Sequence, residues 1–564
     1  MIKAMWLSFT QSAKTKFFWA LFIAIPLLAT VLRLYQLGRV PVGLYWDEAA
    51  MLVDVKSVIQ TGRDMFGNPW YQTIYASYGD FKLPVYIWLA SAAAKFFGLS
   101  EWSFRLPSVL AGLGTIIIGG YLAKELSKSR LLQLFTMLVL SVSPWAIMFS
   151  RTGFEANVGQ FFLALSVLCL LVSRRRGQFW WVFLAAVFGA AATYSYFSVR
   201  FVWPVVFLVV QLLFTKNLRQ KLLQNVFLRI VLPCILFGLL LIPMWRSPFY
   251  GDMNRFRLGT DSVLNSIDYP VESNIYREQA GNSRFDRILF SSQWLMAREL
   301  LKNYSENVSL NFLFIFGDPN YRHGTQRAGL FFLFFLPFFL FGWYELYVKN
   351  KKIFWLLLIW WLVALLPASV PSDVPHALRS LNALVPLAIV ISYGMYSFWT
   401  AVNAAKKEKN IRILTATLFF ICFVVSIGSF LVQYFLFYPR ESASDWQDGY
   451  KQLALAIEKE KQPNEKVWIV SFDDRFYLWL MAYGPYTGKD FQSWQSEGYH
   501  FTNFDNISFR GIDHEKINTE KNILVAGQPK RMQEELAKVT RKQSNIEEIK
   551  GADGTVRFWL AKFM

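Results

Sequence analysis

Long apolar runs alternate with short polar stretches over most of the chain, and their length says what they are. A helix needs about 20 mostly apolar residues to cross a hydrocarbon core about 30 Å thick. Runs of that kind cover 17–36, 131–149, 155–173, 179–197, 328–348, 353–370, 377–398 and 411–437. The stretches 104–123, 199–215 and 226–244 follow the same pattern, so about eleven transmembrane helices are expected. From about residue 440 the pattern changes to Lys, Glu, Asp, Gln and Asn. There, 441–461 has the spacing of an amphipathic helix, 531–539 reads as a second helix, and 467–472, 522–527 and 555–563 read as strands. The expected division is a polytopic α-helical membrane part, 1–439, followed by a small α/β domain, 440–564.

Residues 83–97 (LPVYIWLASAAAKFF) are apolar but short, and contain Lys95. Such a segment can span the bilayer or lie in its interface. Each extra span flips the side of everything after it, so the basic segments decide. If 83–97 does not cross, six basic segments share one side: Lys3/Lys14/Lys16, Lys124/Lys128/Arg130, Arg174/Arg175/Arg176, Lys216/Arg219/Lys221, Lys349/Lys351/Lys352 and Lys406/Lys407/Lys409. If it crosses, the first segment is parted from the other five. The segment is therefore expected on the outer surface of the membrane. That puts the N-terminus in the cytoplasm, long outer loops at 37–104 and 245–327, short ones at 150–159 and 371–379, and the tail outside a cytoplasmic membrane. The first apolar run has no evident small-residue cleavage site and is read as a retained span.

Composition agrees with the pattern. Of 564 residues, 54% are hydrophobic and only 17% charged, against ~25% charged in a soluble protein. The net charge of +19 would ordinarily raise nucleic acid as a partner. Here the basic residues lie between apolar spans, and no nucleic-acid partner is expected. Cys169, Cys234 and Cys422 all sit in apolar runs and imply no disulfide framework. There is no internal repeat, P-loop, GxGxxG or CxxC, and the NxS triplets at Asn303, Asn307 and Asn506 are no more than chance supplies.

Charges are nearly absent from the middles of the spans and cluster at their outer ends. A site at that level would meet a substrate whose head lies at the outer leaflet. Asp47 and Glu48, in GLYWDEAA, are the sharpest feature. They suit a general base, and equally the acidic first turn of a helix. Asp80 and Lys82 (YGDFKLPVY) suit either a helix start or a pair that holds a phosphate, with Asp80 open to a role as a second acidic group orienting the acceptor. Arg151 and Glu155 (SRTGFEANVG) can be a snorkelling Arg and a helix start, or a phosphate partner and a second acid. Arg200 is equally open. Arg322 and His323 precede one span, while His376 and Arg379 precede or enter another. Arg379, about one turn inside an apolar run, needs an anionic partner, a lipid phosphate or a carboxylate. Two histidines with Asp80 could hold a metal, but no HExxH-like spacing supports it, and no metal or other cofactor is expected.

These motifs, taken in order, resemble the GT-C class of membrane glycosyltransferases, in the bacterial branch related to protein O-mannosyltransferases and the lipid A aminoarabinose transferase. The resemblance rests on WDE (46–48) after the first span, KLPVYIWLASAAAKFFGLSEWSFRLPSVLAGL (82–113) and SRTGFEA (150–156). It covers about 15–200 well and 320–400 loosely. It implies a sugar donor on a polyprenyl monophosphate, Asp47 as the base toward an acceptor hydroxyl with Glu48 in support, and direct displacement with inversion. Lys82, His376 and Arg379 are then candidates for the donor phosphate. Two departures matter: Phe81 stands where relatives carry an acid beside the Lys, with Asp80 one place earlier, and Leu83 replaces the first Pro. A transporter or flippase, or a polymerase or ligase, of lipid-linked glycans is the rival reading. A transporter would want ionisable or broken helices at mid-membrane.

Overall fold

The structure of the chain, a computed structural model, describes residues 11–214, 226–259, 262–265, 268–404, 409–463, 465–470, 475–494, 501, 503–504, 506–509, 513–519, 522–540, 543 and 545–563. Among them, seven helices are long and apolar enough to cross a membrane: Thr15–Leu34, Glu101–Ser127, Ala156–Arg176, Phe227–Trp245, Lys351–Ser369, Leu381–Asn403 and Ile413–Glu441. An eighth candidate is Arg130–Val142 with Pro144–Ser150, bent by 60°. Pro144 has no N–H to continue the first helix, and Ser143 caps the second through the N–H of Ala146. The runs expected at 179–197 and 199–215 form Trp180–Ser195 and Val199–Phe214, 16 residues each. Only Leu336–Lys349 of the run 328–348 is α-helical. Its first part is held out of the helix because Leu330 and Phe331 donate backbone hydrogen bonds to Phe312 and Leu313. The span expected from 377 starts at 381, which leaves Arg379 in a turn ahead of it.

The chain divides into two compact units, Met1–Tyr35 with Ser108–Val432, and Gln36–Pro107 with Gln433–Met564. The first unit is helical. Leu336–Lys349 packs on Leu384–Ala404 at backbone distance because Gly342 and Gly394 face each other's helix. A Cβ on Gly342 would lie 2.1 Å from the Val390 carbonyl oxygen, and one on Gly394 1.9 Å from that of Phe338. Small residues at such crossings replace the hydrophobic drive that lipid does not supply.

In the second unit, helix Trp46–Thr61 is followed by a two-stranded hairpin, β1 (Tyr75–Ala76) and β2 (Phe81–Lys82), and by helix Pro84–Phe97. The 14-residue helix Pro84–Phe97 is too short to qualify as a span. Its proline sits at the first helical position, where a missing N–H costs nothing. The tail contributes β3 (Lys466–Ile469), β4 (Asn503–Phe504), β5 (Ile507–Ser508), β6 (Ile523–Gly527), β7 (Asn545–Lys550) and β8 (Val556–Phe563). They form one mixed sheet in the order β4-β5-β3-β6-β8-β7, with β3 parallel to β5 and β6 and the other pairs antiparallel. Helix Pro529–Leu536 packs Met532 into a core with Ile517, Ile523, Val525, Ala561 and Phe563. The helix expected over 441–461 is reduced to Tyr450–Glu460, because the chain turns at Gly449 with φ +98°. The strand expected over 467–472 is seen in part as β3; its last two residues lie outside the described residues.

The first loop and the tail are tied together within this unit. Lys56 donates to the carbonyls of Met481 (2.8 Å) and Gly484 (2.9 Å) at the end of helix Tyr477–Tyr483. Burial pushes that ammonium down to about 8, against the pull of Asp490 and Glu458. The Gln447 side chain accepts the N–H of Trp46 at 2.8 Å, satisfying one open donor of helix Trp46–Thr61.

Candidate active site

Helix Trp46–Thr61 begins at Tyr45, whose side chain makes no cap, and carries Asp47 and Glu48 in its first turn. Neighbours on a helix point about 100° apart, so the two acids have different fates. Glu48 is fully buried and paired with Arg105, Oε2 to Nη2 at 2.7 Å and Oε1 to Nε at 3.0 Å. The same guanidinium donates to the carbonyls of Leu37, Pro41 and Gly43, at 3.3, 3.2 and 2.6 Å. All five N–H groups of Arg105 thus have an acceptor. This pair fastens the start of the loop to the helix that carries RLPS.

Asp47 is the other case: its side chain is 23% exposed. Its Oδ1 receives the Tyr78 hydroxyl at 2.6 Å and an ion pair from Lys82. Lys82 also holds Asp80 Oδ2 at 2.8 Å. The hairpin turn explains why these side chains meet. Backbone bonds between Ser77 and Asp80 close it, and Gly79 occupies φ +87°, which the third residue of such a turn requires. Asp80 ends the turn and Lys82 follows two residues later on β2, and extended backbone at that spacing brings both side chains to one side. Burial, then Asp47 and Asp80, raise the Tyr78 phenol well above its ordinary range, so it stays a hydrogen-bond donor. Beside this group, the Arg475 guanidinium lies over the Trp46 ring, 3.6 Å from its centroid, and 6.0 Å from the Tyr78 ring.

A second group stands in the first unit. The His323 and His376 rings lie with centroids 4.6 Å apart, tilted by 32°. The carboxylate that meets them is Asp318, not Asp80: its Oδ2 lies 3.3 Å from His323 Nδ1 and 4.0 Å from His376 Nδ1. All three are buried. Burial first, then Arg379, His323 and Arg322, push His376 well below the usual imidazole range, so it is neutral. Asp318 is fixed by N–H groups of Asn320 (2.8 Å, Oδ1) and Ala377 (2.7 Å, Oδ2). The backbone N–H of His376 donates to Asn307 Oδ1 at 3.0 Å. Asn303 and Asn307, the first two NxS asparagines, are both buried and engaged with the 368–376 segment.

The remaining expected site residues fall elsewhere. Arg151 is fully buried and its Nη1 donates to the carbonyls of Leu32 (3.0 Å) and Arg33 (2.9 Å), closing the end of the first helix. Glu155 directly precedes helix Ala156–Arg176 and is half-buried. Arg200 covers the Phe197 ring at 3.8 Å and reaches Asn254 Oδ1 at 3.3 Å. Arg322 bonds Asn320 Oδ1 through its Nε at 3.0 Å. Arg379 sits in the turn after His376, its backbone N–H 3.4 Å from His376 Nδ1. Tyr78, Arg105, Asp318 and Arg475, which were not among the expected residues, join these two groups or adjoin them. Arg105 stood inside the RLPS motif. Tyr78 shares the alternation of Asp80 and Lys82, and Asp318 carried the Gly-Asp-Pro signature of a tight turn. For Arg475 there was no signal.

A family model described as dolichyl-phosphate-mannose-protein mannosyltransferase matches residues 82–245. Two Bacillus subtilis (strain 168) proteins align over part of the chain. They are "Putative mannosyltransferase YycA", 28% identical over 39% of this chain and 31% of its own length, and "Putative mannosyltransferase YkcB", 26% identical over 32% and 25%. The chain therefore spans less than a third of the length of these curated relatives. Among solved structures, ArnT from Cupriavidus metallidurans in the apo state superposes with TM-score 0.55 at 14% identity, covering 98% of both chains. The same protein bound to undecaprenyl phosphate gives 0.53 at 12% identity, again over 98% of both chains. The archaeal oligosaccharyltransferase AglB from Archaeoglobus fulgidus, in complex with an inhibitory peptide and a dolichol-phosphate, gives 0.51 at 13%, over 91% of this chain and 70% of its own. The chain thus has the fold of the GT-C membrane glycosyltransferases and is a multi-pass membrane protein.

Proposed function

We propose that the chain transfers a sugar from a polyprenyl-phosphate donor to an acceptor hydroxyl, at the outer face of a cytoplasmic membrane and with inversion at the anomeric carbon. Its N-terminus would be cytoplasmic and its tail outside. The observation that carries the reading is Asp47. It is the one acid of the WDE motif that stays partly exposed, and it is oriented by Tyr78 and Lys82 on a rigid helix and hairpin. In the reaction the acceptor oxygen bonds to the anomeric carbon as the bond from that carbon to the phosphate oxygen breaks. The acceptor proton passes to Asp47, and the lipid phosphate leaves with its electron pair. A positioned carboxylate base contributes roughly 10²–10⁴-fold.

Lys82 couples donor and base in this scheme. It is held between two carboxylates, Asp47 and Asp80. A donor phosphate drawing on the same ammonium would bring the leaving group beside Asp47. A lipid phosphate as donor is supported by undecaprenyl phosphate and dolichol-phosphate in the structures of similar fold. AglB, which shares the fold, is an oligosaccharyltransferase, and this disfavours the transporter reading.

The test is purified protein with a panel of polyprenyl-phosphate sugars, and mass spectrometry of candidate acceptors. Asp47→Asn should lose roughly 10²–10⁴-fold in turnover with donor binding and melting temperature largely kept. Near wild-type turnover in that variant would remove Asp47 from the chemistry.

A further inference from the structure

We infer that Asp318, His323 and His376 bind a divalent first-row metal ion of the zinc type, which fastens the loop around 317–327 to the segment 370–380. One oxygen or nitrogen from each residue lies within 4.8 Å of the others. For bonds of ~2.0–2.2 Å, tetrahedral ligands stand roughly 3.3–3.6 Å apart. The observed 3.3 Å and 4.0 Å from Asp318 Oδ2 bracket that range, one edge slightly open.

The orientation of His323 is the second observation. Its Nδ1 is buried and makes no hydrogen bond, although a carboxylate oxygen lies 3.3 Å away. A protonated Nδ1 at that distance would be expected to turn into line with the oxygen. Here the two atoms approach without hydrogen-bond geometry, as two ligands of one cation do. A carboxylate with two imidazoles suits zinc, and three protein ligands leave a fourth position open.

Support around the ligands has the form such sites need. Both Asp318 oxygens are held by backbone N–H groups, those of Asn320 and Ala377. A Cβ at Gly324 would stand 2.8 Å from the Asp318 carbonyl oxygen, so this turn admits only glycine there. Phe149 and Phe154 pack on the His323 ring, at 6.0 and 5.9 Å between centroids. Against the ion stand Arg322 and Arg379, whose charges bear on His376, and the Arg379 N–H, 3.4 Å from His376 Nδ1. The latter contact is too long to hold the lone pair firmly. The arginines weaken the site without removing it, so the ion should exchange with a strong chelator.

The experiment uses the full chain in detergent, stripped with EDTA and reloaded separately with Zn²⁺ and Co²⁺. Expected are one equivalent of Zn²⁺ per chain by elemental analysis, a rise in melting temperature on adding Zn²⁺, and the intense visible absorption of four-coordinate Co²⁺. Asp318→Asn and His323→Ala should each lose more than about 100-fold in Zn²⁺ affinity, a loss above that of outer-shell changes. His514→Ala, at a half-exposed histidine paired with Glu535 outside the cluster, should bind as wild type. His323→Cys is the positive arm, independent of any loss of fold in the other variants: it should keep the ion and add a thiolate-to-cobalt charge-transfer band. Failure of the wild type to retain Zn²⁺, or a Co²⁺ spectrum unaltered in Asp318→Asn and His323→Cys, overturns the assignment.

Discussion

Glu48→Gln should unfold the loop-and-tail unit far more readily than Asp47→Asn, though the two residues are adjacent. The magnitude follows from what each carboxylate faces. Glu48 is fully buried, and its two oxygens take two of the five N–H groups of Arg105. An amide of the same shape can accept from one of them, but its own NH₂ is then turned toward a cation. Removing one partner of a buried pair strands a charge and costs about 3–5 kcal/mol. The unit has about 200 residues, and at that size 1 kcal/mol moves the melting temperature by roughly 2–4 °C. A fall of roughly 6–20 °C is expected. Asp47 is partly exposed, and Lys82 keeps Asp80 as a partner when Asp47 loses its charge, so Asp47→Asn should move the transition by only a few degrees. Scanning fluorimetry on both variants, beside turnover, makes the comparison. Replacing both partners, Glu48→Leu with Arg105→Leu, ordinarily relieves such a cost. Here it should not, because the carbonyls of Leu37, Pro41 and Gly43 lose their donor, at about 1–3 kcal/mol for each left dry. A Glu48→Gln protein that melts within a degree or two of wild type, or a double variant as stable as wild type, would refute the view of this pair as the clamp of the loop.

Two further outcomes test the surroundings of the site. Arg475→Ala should raise the KM for donor or acceptor by roughly 2–30-fold, the equivalent of a cation–π contact of ~0.5–2 kcal/mol, with little change in melting temperature. Arg475→Lys should recover part of it, and unchanged kinetics in both variants would remove Arg475 from the site. Asp54 is fully buried, and burial with the nearby Asp64 raises its carboxyl well above the usual range. The folded state therefore binds a proton that the unfolded chain releases near pH 4, and stability is lost as pH rises from there through the folded pKa. Asp54→Asn keeps an oxygen for the Met65 N–H. It should flatten the fall of melting temperature with pH and exceed wild type at pH 8; an unaltered pH profile would contradict this.

What the sequence carried, and what it hid, divides by the range of the interaction. The apolar runs were legible because a span is a local property of about 20 residues. Their ends were less so. Arg379 was placed inside a span on hydropathy alone, whereas the apolar helix starts two residues later. Glu48 and Asp47 could not be told apart locally. Their difference lies in Arg105, 57 positions away, and in a hairpin 31–35 positions away. The histidine pair was visible as a rarity, and Asp318 stands five residues before His323; Asp80 was set beside the pair instead, and only the fold brings His376 to the Asp318–His323 turn.

The displaced acid of the hairpin shows how such a departure becomes readable. Set beside relatives with an acid next to the Lys, Phe81 looks like a loss and Asp80 like a misplaced residue. A strand alternates faces, however, so an acid immediately before Lys82 would point away from it, and one two places earlier points with it. The hairpin puts Asp80 at that second place, where it grips the Lys82 ammonium at 2.8 Å while Asp47 grips it from the helix. Phe81, turned to the other face, is buried. In a strand context the sequence Asp-Phe-Lys is thus sufficient for a carboxylate–ammonium pair. What it needs from the fold is that 81–82 be strand, and Gly79 in the turn before it provides for that.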